Sequence, residues 1–311
     1  MILNLGRVRI SVAFIAVSGL LWLFGSAVAQ QSTRNERKTE RAAKNDEKKK
    51  APRPGGLTGK VPELPANLFT AASTVARSPL KHEWQDIPYG KGKLHIWVHY
   101  PQGDGRVPVV LLMPYDPGLD DLQRALADQL ASEGFLVIAP DLISGFGPNG
   151  GNYESFKFPD QAWRANLKVS AAEAMRRYRA AYDFAMRQPR ANGKIAVLGS
   201  GLGGTQAFRF AAEAPKLDAA VVFYGAAPEP AVMAKIQAPV LGLYGADDPV
   251  ETSARVEQTA AEMKKAGKSF EYHVYPGATN AFLSYQVEGM NGQAVAESWT
   301  LAMEWLKQNL K

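Results

Sequence analysis

The sequence predicts an α/β fold, a mostly parallel sheet with helices on both faces and an antiparallel hairpin at its start. Three observations carry that prediction. After Trp84, short apolar runs alternate with amphipathic stretches of helical length, the pattern of strands joined by crossover helices. One run ends in the glycine-rich turn Gly199-Ser200-Gly201-Leu202-Gly203-Gly204. Residues 67–311 also hold enough Val, Leu, Ala and Phe to fill one sizeable core.

The elements follow in order. Leu94 to Tyr100 alternates in polarity, and Gln102-Gly103-Asp104-Gly105 turns the chain into Val107 to Met113, an apolar run suited to a buried strand. These two are expected to form the opening hairpin. Asp121 to Glu133 reads as a helix stopped by Gly134, and Phe135 to Ala139 resumes the sheet. Leu142 to Lys168 is rich in Gly, Pro and aromatics, exceeds an ordinary connection, and is expected to lie over the site. Ser170 and Glu173 form a capping-box pattern for a helix reaching about Gln188, whose Arg176, Arg177, Arg179 and Arg187 are expected on a solvated face. Ile195 to Leu198, Ala219 to Tyr224, Val240 to Leu243 and Phe270 to Tyr275 read as strands. Thr205 to Ala214, Thr252 to Ala266 and Ala294 to Leu310 read as helices.

Upstream of this domain the chain changes character. Arg7 and Arg9 precede an apolar run, Ile10 to Phe24, and then Ala27-Val28-Ala29, so residues 1–29 are expected to be a signal peptide cleaved after Ala29. That run is shorter than the ~20 residues a bilayer core requires, so no membrane span is expected after cleavage. Residues 30–66, charged and then rich in Pro and Gly, read as a disordered linker. The expected location is therefore periplasmic or extracellular. There are no cysteines, which excludes a disulfide, a thiolate nucleophile and Cys-ligated metal.

The formal charge of +6 resides upstream as well. Residues 1–50 hold ten of the 36 Lys and Arg and four of the 30 Asp and Glu, and the remainder carries 26 of each. No basic face, and no nucleic-acid partner, is implied for the folded domain. No His, Asp or Glu set has metal-ligand spacing, and no cofactor is implied.

The turn after the Ile195 strand carries the chemistry. Gly199-Ser200-Gly201-Leu202-Gly203-Gly204 fits G-x-Nu-x-G-G with Gly201 at the nucleophile position, an elbow that lifts one strained residue beside backbone N–H groups able to hold an oxyanion. The Lys-Ser/Thr ending of a phosphate-binding P-loop is missing. Taking Ser200 as the nucleophile instead would require glycine where Leu198 and Leu202 stand.

Several segments then resemble the dienelactone hydrolase family, in the order and spacing of its exported members. They are Ala139-Pro140-Asp141-Leu142, Gly147-Pro148-Asn149-Gly150-Gly151, Ala191-Asn192-Gly193-Lys194, Gly245-Ala246-Asp247-Asp248 and Tyr275-Pro276-Gly277-Ala278. The resemblance runs from about Trp84 to the C-terminus. It implies an α/β-hydrolase fold and cleavage of small carboxylic esters and lactones by a Cys or Ser, Asp and His triad.

Carried over residue by residue, it implies Asp248 as the acid, Asn280 where the family has His, and Gly201 where it has the nucleophile. Leu202 falls at the oxyanion N–H. Tyr115, with Asp116 beside it, falls near the family's glutamate after the second hairpin strand. Glycine cannot attack and an asparagine amide does not titrate, so catalysis is expected to be impaired. Asp248 also has a purely local reading as a turn or cap residue ahead of a helix. His82, His95, His99 and His273 lie on strand segments away from the Asn280 loop and are expected to be structural.

Three roles are compatible with this pattern: a non-hydrolytic relative that binds a small carboxylate, ester or lactone; a hydrolase with a relocated nucleophile or a water directed by Asp248; and a scaffold of the cell envelope.

Overall fold

The structure is a computed structural model that describes residues 64–116, 118–286 and 291–311. The expected signal peptide and nearly all of the expected linker lie outside the described residues. Pro65 and Ala66, assigned to the linker from sequence, are buried, and the Ala66 N–H donates to Gln129 Oε1 at 2.9 Å. Among the described residues no helix is long and apolar enough to cross a membrane.

Eight strands form one sheet: β1 (His82–Tyr89), β2 (Gly92–His99), β3 (Val107–Met113), β4 (Leu136–Pro140), β5 (Ala191–Ser200), β6 (Ala219–Phe223), β7 (Val240–Gly245) and β8 (Phe270–Tyr275). Their spatial order is β1-β2-β4-β3-β5-β6-β7-β8. β1 and β2 pair antiparallel, as do β2 and β4, whereas every neighbour from β4 to β8 is parallel.

The opening hairpin is therefore one strand earlier than expected. β1 and β2 are joined across Gly90 and Lys91, with Gly90 at φ 58, the left-handed backbone a two-residue turn requires. β2 and β3 are not neighbours, because β4 inserts between them.

The described helices are α1 (Ala71–Arg77), α2 (Asp121–Ser132), α3 (Pro159–Asn166), α4 (Ala171–Met186), α5 (Leu202–Phe210), α6 (Pro230–Met233), α7 (Ser253–Lys265) and α8 (Gly292–Asn309). Starts follow capping chemistry: Asp120, Ser170 and Thr252 side chains accept from the N–H three residues on in α2, α4 and α7. α5 begins three residues before its expected start, directly after Gly201. The segment 142–168 is not a bare loop, since it contains α3 and two 3-10 turns.

Alternate side chains of the inner strands feed two cores. Val110, Leu112, Ala196 and Leu198 join α2 and α8 on one face; Val109, Leu111, Ile195 and Val197 join α4 and α5 on the other. The chain steps outward from β3 to β4 and later the opposite way from β5 to β6. That reversal makes the carboxyl edge between β3 and β5 a topological switch point, and the elbow stands there.

One expectation about charge is corrected. Arg177, assigned to a solvated face, is buried. Its Nε donates to Glu173 at 2.8 Å, Nη1 to the carbonyls of Leu142 and Ser144, and its guanidinium lies over the Tyr89 and Phe146 rings. A guanidinium tolerates that burial because each charged face has a partner.

Candidate active site

The elbow geometry is explained by what its glycines permit. A Cβ at Gly199 would collide with the Gly203 carbonyl, and one at Gly203 with the Met113 carbonyl, so α5 packs against β5 and β3 backbone to backbone. Gly201 has φ 55 and ψ −121, a conformation that costs an ordinary residue about 1–3 kcal/mol. Its N–H donates to Phe223 O at 3.0 Å and its carbonyl accepts from the Thr205 N–H at 2.9 Å.

The position is sterically open, since an added Cβ would meet only Tyr224 Cε2, at 3.8 Å. Leu202, half-exposed, is the first residue of α5, where backbone N–H groups lack intrahelical partners. Ser200 is buried and pairs with Phe223 inside the sheet.

Asp248 and Asn280 meet although 32 residues separate them: Asn280 Nδ2 donates to Asp248 Oδ2 at 2.9 Å. The other oxygen, Oδ1, accepts from the Val250 N–H at 2.7 Å and the Glu251 N–H at 3.0 Å. Asp248 is buried, so these three donors replace its hydration. Burial pushes the neighbouring Glu251 carboxyl up; Arg255 opposes the shift and the Asp248 charge adds to it. Immediately after Asn280, Ala281 sits at φ 57, and its carbonyl accepts from the Ser284 and Tyr285 N–H groups.

Tyr115 and Asp116 follow β3, but each spends its polar atoms locally. The Tyr115 hydroxyl donates to Asp120 Oδ2 at 2.8 Å, and burial beside that carboxylate pushes the phenol far up. Asp116 Oδ1 accepts from Asn166 Nδ2 at 3.0 Å, which ties the end of α3 to this edge; burial raises the Asp116 carboxyl and the Asn166 bond opposes it.

Sequence reasoning missed Tyr224. It is buried at φ 40, its hydroxyl 3.4 Å from Ser284 Oγ and within hydrogen-bonding reach of Ser200, and burial pushes it up to about 12. Tyr224-Gly225 directly after an apolar strand, at the same sheet edge as the elbow, was the available signal.

The long segment shapes two cavities. One, of about 510 Å3, lies between α1, the start of α2 and residues 153–162, with Asp120, the partner of Tyr115, in its wall. The other, of about 570 Å3, lies between the β1-β2 turn and residues 144–150. Among the histidines, His95 Nδ1 pairs with Asp86 Oδ1 at 2.5 Å, His99 lies 3.1 Å from an Asp128 oxygen, His273 pairs with Glu271, and His82 meets the Leu80 carbonyl.

A parallel sheet with an antiparallel opening hairpin, a strand–elbow–helix at its switch point and a loop carboxylate two strands away define an α/β-hydrolase fold. The dienelactone hydrolase family model matches residues 95–310, and the chain belongs to that family. It is 28% identical over 252 residues to an Escherichia coli protein provisionally named carboxymethylenebutenolidase, covering 76% of this chain and 92% of the other. A Saccharolobus solfataricus protein of the same provisional name is 26% identical over 254 residues, covering 68% and 97%.

Among solved structures, a Klebsiella pneumoniae protein provisionally described as a dienelactone hydrolase aligns with TM-score 0.65 and 26% identity, covering 74% of this chain and 99% of that one. A Pyrococcus horikoshii acylaminoacyl peptidase shares the fold alone, with TM-score 0.60 and 13% identity over 79% of this chain and 44% of that one.

Proposed function

We propose that this protein keeps the binding half of a dienelactone hydrolase site and lacks the bond-breaking half, serving as a non-hydrolytic receptor for a small carboxylate, ester or lactone. The observation that supports this most directly is the Asn280–Asp248 hydrogen bond beside an elbow whose outermost residue is glycine. In the family's triad the acid holds an imidazole N–H, and the opposite ring nitrogen takes the nucleophile's proton. Asn280 supplies the N–H and nothing that can take a proton, because an amide nitrogen is a donor only. Gly201 supplies no nucleophile. The elbow turn and the first-turn N–H groups of α5 remain as a place to seat a carbonyl or carboxylate oxygen.

Ser200 does not substitute for the missing side chain, since it is enclosed within β5 beside Tyr224. The test is incubation of the purified protein with p-nitrophenyl esters and with a serine-reactive phosphonate. We expect no labelling, and turnover of activated esters no greater than an oxyanion site alone provides, up to about 10³–10⁴ over water. Ester turnover abolished by Ser200→Ala would overturn the reading.

We also propose that the protein is exported, a reading supported by Arg7, Arg9, the run from Ile10 to Phe24 and Ala27-Val28-Ala29. The mature N-terminus is then Gln30, which mass spectrometry of the native protein checks directly.

A further inference from the structure

The neutral charge total of residues 51–311 conceals a local concentration. The cavity between the β1-β2 turn and residues 144–150 is lined by Lys91, Lys93 and Arg177 and by no carboxylate. Lys93 pairs with Asp86 at 3.1 Å at the surface, and Arg177 is spent on Glu173 and two carbonyls. Asp141, which also faces Arg177 and His95, is enclosed and accepts from the Tyr153 and Ile143 N–H groups. Lys91 has no partner among the described residues.

His95, whose Nδ1 pairs with Asp86 Oδ1, also stands in the cavity wall. The Arg177 guanidinium already lies over the Tyr89 and Phe146 rings, and Phe146, 38% exposed, supplies the flat apolar wall that remains open to the cavity. One unspent cation and one exposed aromatic ring border a space of about 570 Å3, enough for a small ring-bearing molecule.

We propose that this cavity is a second ligand site, distinct from the elbow, that takes a small monoanionic carboxylate with a flat apolar body. The carboxylate pairs with Lys91, and the body lies against the exposed side of the Phe146 ring. One negative charge matches Lys91, the lining cation without an acidic partner among the described residues, and the apolar body replaces water against the Phe146 ring. The site stands independently of the role proposed for Gly201 and Asn280.

The probe is benzoate, titrated into the full-length protein by calorimetry and by amide chemical shifts. Benzoate is expected to bind at millimolar concentration or below and to shift the amides of Lys91, Gly92, Gly145 and Gly150. Acetate, which has the charge without the body, and benzamide, which has the body without the charge, are expected to bind about tenfold more weakly or worse.

Lys91→Ala, at an exposed turn residue, is expected to weaken benzoate about tenfold, and Phe146→Ala to weaken benzoate without weakening acetate. Absence of binding overturns the proposal. So does equal binding of benzamide, indifference to Lys91→Ala, or shifts confined to the Gly201–Gly204 amides. That last outcome would leave the elbow reading standing while removing this one.

Discussion

If Gly201 and Asn280 account for the loss of chemistry, Gly201→Cys combined with Asn280→His should restore ester cleavage, and the structure sets the terms. At Gly201 an added side chain has room, with only Tyr224 Cε2 within 4 Å of its Cβ, but it must adopt φ 55 and ψ −121. The thiol variant should therefore lose about 1–3 kcal/mol of stability by urea denaturation.

At position 280 an imidazole inherits the bond that Asn280 Nδ2 makes to Asp248 Oδ2 at 2.9 Å, so its Nδ1–H is oriented and its Nε2 is left to act as base. General-base assistance is worth about 10²–10⁴-fold, and that is the gain expected for p-nitrophenyl acetate over the better single variant. Asn280→His alone should gain nothing, for want of a nucleophile. Activity of the double variant should rise with pH through the imidazole's titration, near about 6.5, with an acyl adduct on the introduced thiol detectable by mass spectrometry. A folded, cooperatively unfolding double variant with the parent's turnover would refute the reasoning, because the nucleophile and the base would then both be in place.

Three further outcomes test the same geometry. Asn280→Asp sets two carboxylates at the distance of the present hydrogen bond, so it should destabilise at pH 7 by about 2 kcal/mol more than Asn280→Ala and recover below about pH 4, read by denaturant titration at both pH values. Asp248→Ala strands the Val250 and Glu251 N–H groups and should cost about 2 kcal/mol whether or not the protein is an enzyme. Asp141 is held up to about 6 by burial, against the pull of the Tyr153 and Ile143 N–H groups, from an ordinary value of 3.8. Its folded form thus binds more protons than the unfolded chain between those values, so its contribution to stability is present below pH 3.8 and is lost as pH rises through about 6, a change of about 3 kcal/mol. Asp141→Asn should flatten that part of the stability–pH curve.

What the sequence made legible follows from which interactions are local. Apolar runs located β3 to β8, and caps such as Ser170 and the Gly134 stop located helix ends, because those signals sit within a few residues of one another. Strand partners do not. β2 pairs with β4 rather than with β3, a choice set by the crossover and invisible in any short window. The burial of Arg177 has a local signal in Glu173, four residues earlier at the helical spacing for an ion pair, which the abundance of arginines on the same helix masks. Recognising Gly90 as a turn residue would likewise have put His95 opposite Asp86 across the hairpin.

The elbow and its partners were legible for a different reason: their spacing is dictated by the closing of a sheet edge. The structure adds why these particular replacements can coexist with the fold. Asn280 still donates to Asp248, so a buried carboxylate is not left short of a partner, and Gly201 adopts without strain a backbone that would tax any other residue. On the proposed reading, each replacement preserves the structural half of the position and discards the reactive half. Asp248 is the one position where the two halves cannot be separated, because the oxygens that would orient a histidine also close the turn into α7 through Val250 and Glu251. Retention of the acid is therefore accounted for by folding alone, and a carboxylate in that place is not by itself a sign of catalysis.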